Sequence, residues 1–277
     1  MYVTFANLGN HGQLGNQLFQ IAATLGTARL NHCDFVLPPW KYSEYFENRL
    51  PEQAAIHYDC VYEEPDFSYL PITVKESTSI SGYFQSQRYF EHCMQELRYY
   101  LMPNATFQQT IEEYRKKYQL DIPQRRTCSL CVRRGDYIGN PRFVDLSKTD
   151  YYVNVMKMMP SDTKWIIFSD DVEWCRIYFS NELFAEYELT FIDLIPELLT
   201  MFLIASCENH ILANSTFGWW GAWLNTSQKK RIIAPGVWFS SVVQDESRPY
   251  RHENGYHNTK DLIPAGWEVL PVTPMES

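Results

Sequence analysis

No stretch of this chain approaches the roughly 20 consecutive apolar residues that a membrane-crossing helix requires. The best run, Leu198 to Cys207, already contains Thr200 and Ser206 and then meets Glu208. Basic charge is also scarce: 24 Lys and Arg against 33 Asp and Glu leave a formal net charge of −9. Such a surface does not attract nucleic acid or anionic lipid non-specifically, so an anionic ligand has to be caught by a few placed Arg or Lys residues. No Asp-x-Asp occurs anywhere, which removes a common means of holding a divalent cation against a diphosphate. A disulfide framework is missing too, because the cysteines number seven and are scattered along the chain. Cys128 and Cys131 form a C-x-x-C, but in an apolar strand pattern residues three apart point to opposite faces and do not converge on a metal. The first residues, Met1 to Asn7, lack the basic region and long apolar core of an export signal. The expectation is a cytoplasmic protein with no transmembrane segment, no nucleic-acid partner and no metal site.

What is present suits an ordinary globular α/β protein. With 45% hydrophobic and 21% charged residues the chain can bury enough apolar surface to fold. A length of 277 residues lies near the limit for one core, which favours two lobes. The chain opens with a short apolar strand (1–6), a Gly-rich loop from Asn7 to Gly15 and an apolar-periodic helix from Asn16 to Leu30. Strands are expected at 33–37 and 79–84, with a helix over 87–101, while 40–75 is aromatic and irregular. Pro and charge interrupt the pattern at Asp121 to Arg126, and the lobe boundary is placed there, giving lobes of 1–125 and 126–277. Beyond it, strands at 127–132, 164–168, 189–192, 210–213 and 231–234 alternate with helices at 149–159, 171–180, 196–207 and 216–226. That alternation predicts a parallel sheet, whose ligands bind beyond the carboxyl ends of the strands.

The unusual residues collect at those strand ends. Strand 127–132 runs into Arg133-Arg134-Gly135-Asp136-Tyr137, and a guanidinium grips phosphate through two parallel bonds while staying charged. If strand alternation continues, Arg133 shares the face of Cys131 and Arg134 turns away. An equally open reading is an Arg pair bridged to Asp136. Asn214, Ser215, Thr216 and Phe217 lead from a strand into an aromatic helix whose unsatisfied N–H groups suit a diphosphate, although Ser215 also serves simply as a helix cap. Ser169, Asp170 and Asp171 end another strand and either accept hydrogen bonds from a nucleoside or cap the next helix.

Taken together and in this order, these segments resemble glycosyltransferase family 11, the α-1,2-fucosyltransferases. The family's opening G-L-G-N-Q-[ML]-F-Q stands here as Gly12-Gln-Leu-Gly-Asn-Gln-Leu-Phe-Gln20, and G-[YF]-[FW]-Q as Gly82-Tyr-Phe-Gln85. H-x-R-R-G-D-Y stands as Cys131 to Tyr137, F-S-D-D as Phe168 to Asp171, and N-S-T-F-S-W-W-G-A-W-L as Asn214 to Leu224. Within these motifs Cys131 replaces His and Gly218 replaces Ser, and the His-Gly that often precedes the family's Tyr-Tyr pair is replaced by Val144-Asp-Leu-Ser-Lys-Thr-Asp before Tyr151-Tyr152. The resemblance implies a GT-B-like architecture of two Rossmann-like lobes facing a cleft, GDP-L-fucose as donor, a galactose-ended glycan as acceptor, and inversion at the sugar carbon without a cofactor. It implies donor binding by Gly15, Asn16, Gln17, Arg133, Arg134, Ser169, Asp170, Asn214, Ser215, Thr216 and Phe217, with an acceptor-side lobe in the first half and the donor lobe in the second. Arg133 is the expected stabiliser of the leaving diphosphate. Asp136, then Asp145, are the candidate bases for the attacking hydroxyl. A fucosyltransferase of α-1,6 or O-linked specificity, or a non-catalytic sugar-nucleotide or glycan binder, are the alternatives. Acceptor choice is expected to lie in the loops at 38–75 and 240–265.

Overall fold

The computed structural model describes residues 1–120, 126–243 and 257–275. It divides into two compact units. The first contains Met1–Thr110 together with described residues 257–264, and the second starts at Ile111. Most of the expected boundary, 121–125, and part of the loop at 240–265 lie outside the described residues.

The first unit is built on a four-stranded parallel sheet in the order β2-β1-β4-β3, from β1 (Tyr2–Thr4), β2 (Asp34–Phe35), β3 (Cys60–Glu63) and β4 (Thr78–Ser81). Helix α1 (Leu14–Leu30) is buried along nearly its whole length. Its all-round apolarity is that of a helix covered on several sides rather than a surface helix. Gly26 allows the closest approach: a Cβ there would lie 1.9 Å from the Tyr89 carbonyl oxygen. The helix begins two residues earlier than expected, so Gly15, Asn16 and Gln17 form its first turn. The expected helix over 87–101 is two short 3₁₀ turns followed by α2 (Met94–Tyr100). Helix α3 (Ala105–Lys117) follows, and the division between the units falls within it.

The second unit has a six-stranded parallel sheet in the order β10-β9-β8-β5-β6-β7. Its strands are β5 (Arg126–Val132), β6 (Thr163–Ser169), β7 (Glu188–Phe191), β8 (Asn209–Ile211), β9 (Ile232–Pro235) and β10 (Glu268–Leu270). Helices α4 (Tyr151–Lys157), α5 (Val172–Tyr178), α6 (Glu197–Ala205) and α7 (Thr216–Leu224) lie between strands. β5 and β6 are buried almost end to end, as central strands of a covered parallel sheet must be. Trp165, Trp219, Trp220, Tyr151 and Tyr152 fill the core. The two tyrosines are bonded as well as packed: Tyr151 donates to the carbonyls of Leu212 and Ile233, and Tyr152 to that of Cys131.

The chain lays down β5, β6 and β7 in one direction, then returns to the other side of β5 with β8, β9 and β10. The order reverses between β5 and β8, so their carboxyl ends open the crevice where ligands of such sheets bind. All seven cysteines are free, and Cys128 and Cys131 are buried. Among the described residues no helix is long and apolar enough to cross a membrane, and no group of three or more His, Cys, Asp or Glu is arranged to hold a metal ion.

Candidate active site

At the end of β5 the strand stops at Val132 and the chain bends into a short 3₁₀ turn, Gly135–Tyr137. Alternation therefore does not extend through the arginines. Arg134 is the more enclosed, with 12% of its side chain exposed. Its Nε donates to Asp171 Oδ2 at 3.2 Å and its Nη1 to Ser147 Oγ at 3.2 Å, while the guanidinium carbon sits 3.6 Å from the Trp174 ring centroid. Arg133 is 29% exposed, pairing through Nη2 with Asp136 at 2.5 Å and through Nη1 with Asp170 at 2.8 Å. Its Nε is buried without a partner.

Asp170 ties the two strand ends together. Its Oδ1 accepts the Arg134 backbone N–H at 2.9 Å while Oδ2 meets Arg133. Gly135 is what makes room, since a Cβ there would lie 2.5 Å from Asp170 Oδ2. Ser169 Oγ accepts the Asp171 N–H, and Asp171 in turn caps α5 through the Trp174 N–H. The two candidate bases differ sharply. Asp136 is 67% exposed beside Arg133. Asp145 is 14% exposed, and its Oδ1 accepts both the N–H and the hydroxyl of Ser147.

Beyond β8, the Ser215 side chain caps α7 by accepting the Phe217 N–H. Ser215, Thr216 and Phe217 stay partly exposed at this helix start, where the helix dipole favours an anion. Asn214 is committed elsewhere: it is 1% exposed, and its amide donates to the carbonyls of Val144 and Trp238. Its own carbonyl accepts the Tyr137 hydroxyl, linking the α7 loop to the turn that carries Asp136. Arg133, Arg134, Asp136, Asp145, Ser169, Asp170 and residues 214–217 thus all follow or end β5, β6 and β8 at the carboxyl side of the sheet in the second unit. Two guanidiniums beside a helix N-terminus can bind a diphosphate and meet charge developing on it.

The remaining predicted residues lie in the first unit. Gln17 is buried, donating to the Gly12 carbonyl and accepting from the Trp40 indole. Asn16 is half-buried and accepts from the Gln85 amide at 2.9 Å. Trp174 and Ser147, which grip Arg134, were not singled out by the sequence. The signal for Trp174 was its position in the first turn of the helix that Asp171 caps.

The sequence model of the family described as "Glycosyl transferase family 11" matches residues 7–257. The chain is 39% identical over 120 residues to the O-antigen biosynthesis glycosyltransferase WbnK of Escherichia coli, covering 41% of this chain. It is 32% identical over 174 residues to an alpha-1,2-colitosyltransferase of Escherichia coli, covering 60% of this chain. The matched stretches span 39% and 58% of those two proteins' own lengths. A putative galactoside 2-alpha-L-fucosyltransferase of Caenorhabditis elegans is 25% identical, with 96% of this chain and 78% of that protein covered. Among solved structures, the NodZ alpha-1,6-fucosyltransferase from Bradyrhizobium superposes with a TM-score of 0.53 at 13% identity, covering 85% of this chain and 95% of its own. The likeness is one of fold, and the fold is the expected α/β type of GT-B fucosyltransferases.

Proposed function

This chain belongs to glycosyl transferase family 11, and from that premise we propose that it moves L-fucose from GDP-fucose to the 2-hydroxyl of a terminal galactose, with inversion. The observation that carries this reading is the pair Arg133 and Arg134 at the end of β5, facing the switch in strand order shared with the N-terminus of α7. In this reading the second unit is the main donor-binding lobe and the first the acceptor-side lobe, and Gly15, Asn16 and Gln17 of its first helix belong to the donor-binding set.

The acceptor oxygen forms its bond to the anomeric carbon as the bond to the diphosphate oxygen breaks. GDP leaves with the electron pair, and its charge is met by the Arg133 guanidinium and the N-terminal end of α7 rather than by a metal ion. Asp136, exposed beside Arg133, takes the hydroxyl proton. Asp145 braces Ser147, and through it Arg134, instead.

A second donor has a specific observation behind it. The Escherichia coli relative with 32% identity is named for transfer of colitose, which is fucose lacking one ring hydroxyl. A site that bonds the hydroxyl rejects the sugar without it, so the two donors are separable by rate.

The test is incubation with GDP-fucose and lactose in the presence of a chelator, with the product's linkage read by NMR. Fucose on the galactose 2-hydroxyl is the expected result. Product at another position gives a different linkage, turnover only with nucleotide-activated colitose gives the second donor, and restoration of a chelated enzyme by a divalent cation overturns the metal-free step. Binding without turnover makes the chain a sugar-nucleotide binder.

A further inference from the structure

Three segments of the first unit meet at the carboxyl ends of its strands: the loop after β1, Glu64 directly after β3, and the Gly82–Gln85 turn after β4. Glu64 is 7% exposed, and its carboxylate faces the turn. Oε2 accepts the Tyr83 N–H at 2.6 Å and Oε1 the Phe84 N–H at 2.9 Å, while Glu64's own N–H donates to the Ser81 carbonyl. The turn so capped is one that the backbone does not adopt unaided. Phe84 is fully buried with φ of 51°, in the left-handed region that bulky residues avoid. Gly82 has φ of 151°, and a Cβ there would lie 2.6 Å from Glu64 Oε2.

The turn is wired to the loop that follows β1. The Gln20 amide donates to the Gly82 carbonyl at 3.4 Å and to the His11 carbonyl at 2.8 Å. The Tyr83 and His11 rings meet with centroids 4.7 Å apart, and Gln85 donates to Asn16 Oδ1 at 2.9 Å. Gln20 and Gln85 each keep an amide oxygen buried without a protein partner, so both bracing groups retain capacity to accept from a ligand.

We infer that Glu64 is a positioning residue for transfer: by fixing the Gly82–Gln85 turn it sets Asn16, Tyr83 and His11 in the geometry that takes substrate. This rests on the reading above that Asn16 belongs to the substrate-binding set. The titration of Glu64 agrees with the geometry. Burial pushes its carboxyl up to about 7, opposed by the two backbone N–H groups and reinforced by Asp66. The other groups facing it are the phenols of Tyr62 and Tyr89, both raised by burial and neutral at this pH. Because burial favours the protonated carboxyl in the closed turn, ionisation loosens the turn as pH rises through about 7.

The experiment compares the wild-type chain with Glu64→Gln on two readouts: KM and kcat for GDP-fucose from about pH 6 to about pH 8, and amide hydrogen exchange at Tyr83 and Phe84. The expected result is a KM raised about tenfold in Glu64→Gln, a smaller change in kcat, loss of the wild-type limb near neutral pH, and faster exchange of both amides. An unchanged KM, or a pH limb that survives the substitution, overturns the proposal. Should Glu64→Gln fail to fold, the wild-type protein decides: protection at Tyr83 and Phe84 that does not fall as pH passes about 7 overturns it. A wild-type chain that transfers no sugar fails the functional reading instead, while exchange still tells whether Glu64 holds the turn.

Discussion

The guanidinium of Arg134 lies over the indole of Trp174, 3.6 Å from the ring centroid, and this contact joins the end of β5 to the start of α5. Arg134 spends its other donors on Asp171 and Ser147, whereas the neighbouring Arg133 keeps a buried Nε with no protein partner. The two arginines of one motif thus divide their work. Arg134 holds the loop, while Arg133 is paired with the carboxylates of Asp136 and Asp170.

Arg134→Lys keeps the charge but loses both the planar stack and the fixed fork. The expected cost is about 1–2 kcal/mol of stability, the range for an enclosed cation–π contact with its hydrogen bonds. Thermal melting measures it, and Trp174→Ala should cost a similar amount that does not add to that of Arg134→Lys. Additive losses would show that the stack couples nothing.

The two substitutions within the family motifs touch each other. A Cβ at Gly218 would lie 3.0 Å from Cys131 Sγ and 3.3 Å from its Cβ, with Cys131 only 6% exposed. Gly218→Ser should therefore destabilise by about 1–3 kcal/mol through overpacking, and Cys131→Ala should relieve most of that loss in the double variant. A Gly218→Ser protein as stable as the parent would mean that the thiol moves aside freely.

Much of this was legible in the sequence, for identifiable reasons. β6 announces itself as a continuous apolar run, Trp165 to Phe168, ended by Ser169 and two aspartates, which is how a strand buried on both faces must read, whereas β5 carries Thr127 and Ser129 within its length and is marked by the arginines that follow it. Alternation misled at Arg133 and Arg134 because the strand stops at Val132 and a 3₁₀ turn re-aims both side chains. Helix α3 escaped notice because only Phe107 and Ile111 of its thirteen residues are buried, too narrow a stripe to give a helical period. β3 lies at a sheet edge with no fully buried residue, and β10 is three residues long, so neither carries the apolar pattern of a strand. Glu64 was hidden for another reason: an acidic residue between Glu63 and Pro65 looks like solvated loop until the turn it caps is seen.

Glu64 also ties stability to pH. Its folded-state pKa of about 7 lies above the ordinary value of 4.5, chiefly through burial, so the folded state holds a proton that the unfolded chain releases first. This contribution is present in full below about 4.5 and is lost as pH rises through about 7. Its size is at most on the order of 3 kcal/mol. In denaturant melts across that range wild-type stability should fall more steeply with pH than that of Glu64→Gln, which lacks the titrating group; identical pH slopes in the two proteins would place the titration elsewhere.

Arg133 carries the last expectation. Its Nη groups rest on Asp136 and Asp170, both just beyond strand ends, and its buried Nε has no partner to lose when a ligand arrives. Lysine at this position keeps the charge but cannot offer two parallel bonds to adjacent phosphate oxygens. If the fork stabilises the leaving diphosphate more than the bound donor, the loss falls on kcat, by roughly 10²–10³-fold on the scale of one preorganised donor. Arg134→Lys should lower kcat less, because its cost is taken mainly in stability. The measurements are kcat and KM for GDP-fucose in both variants, with circular dichroism to confirm folding. Near-normal kcat in a folded Arg133→Lys protein removes Arg133 from the chemical step, and equal losses in the two variants mean that both guanidiniums engage the donor.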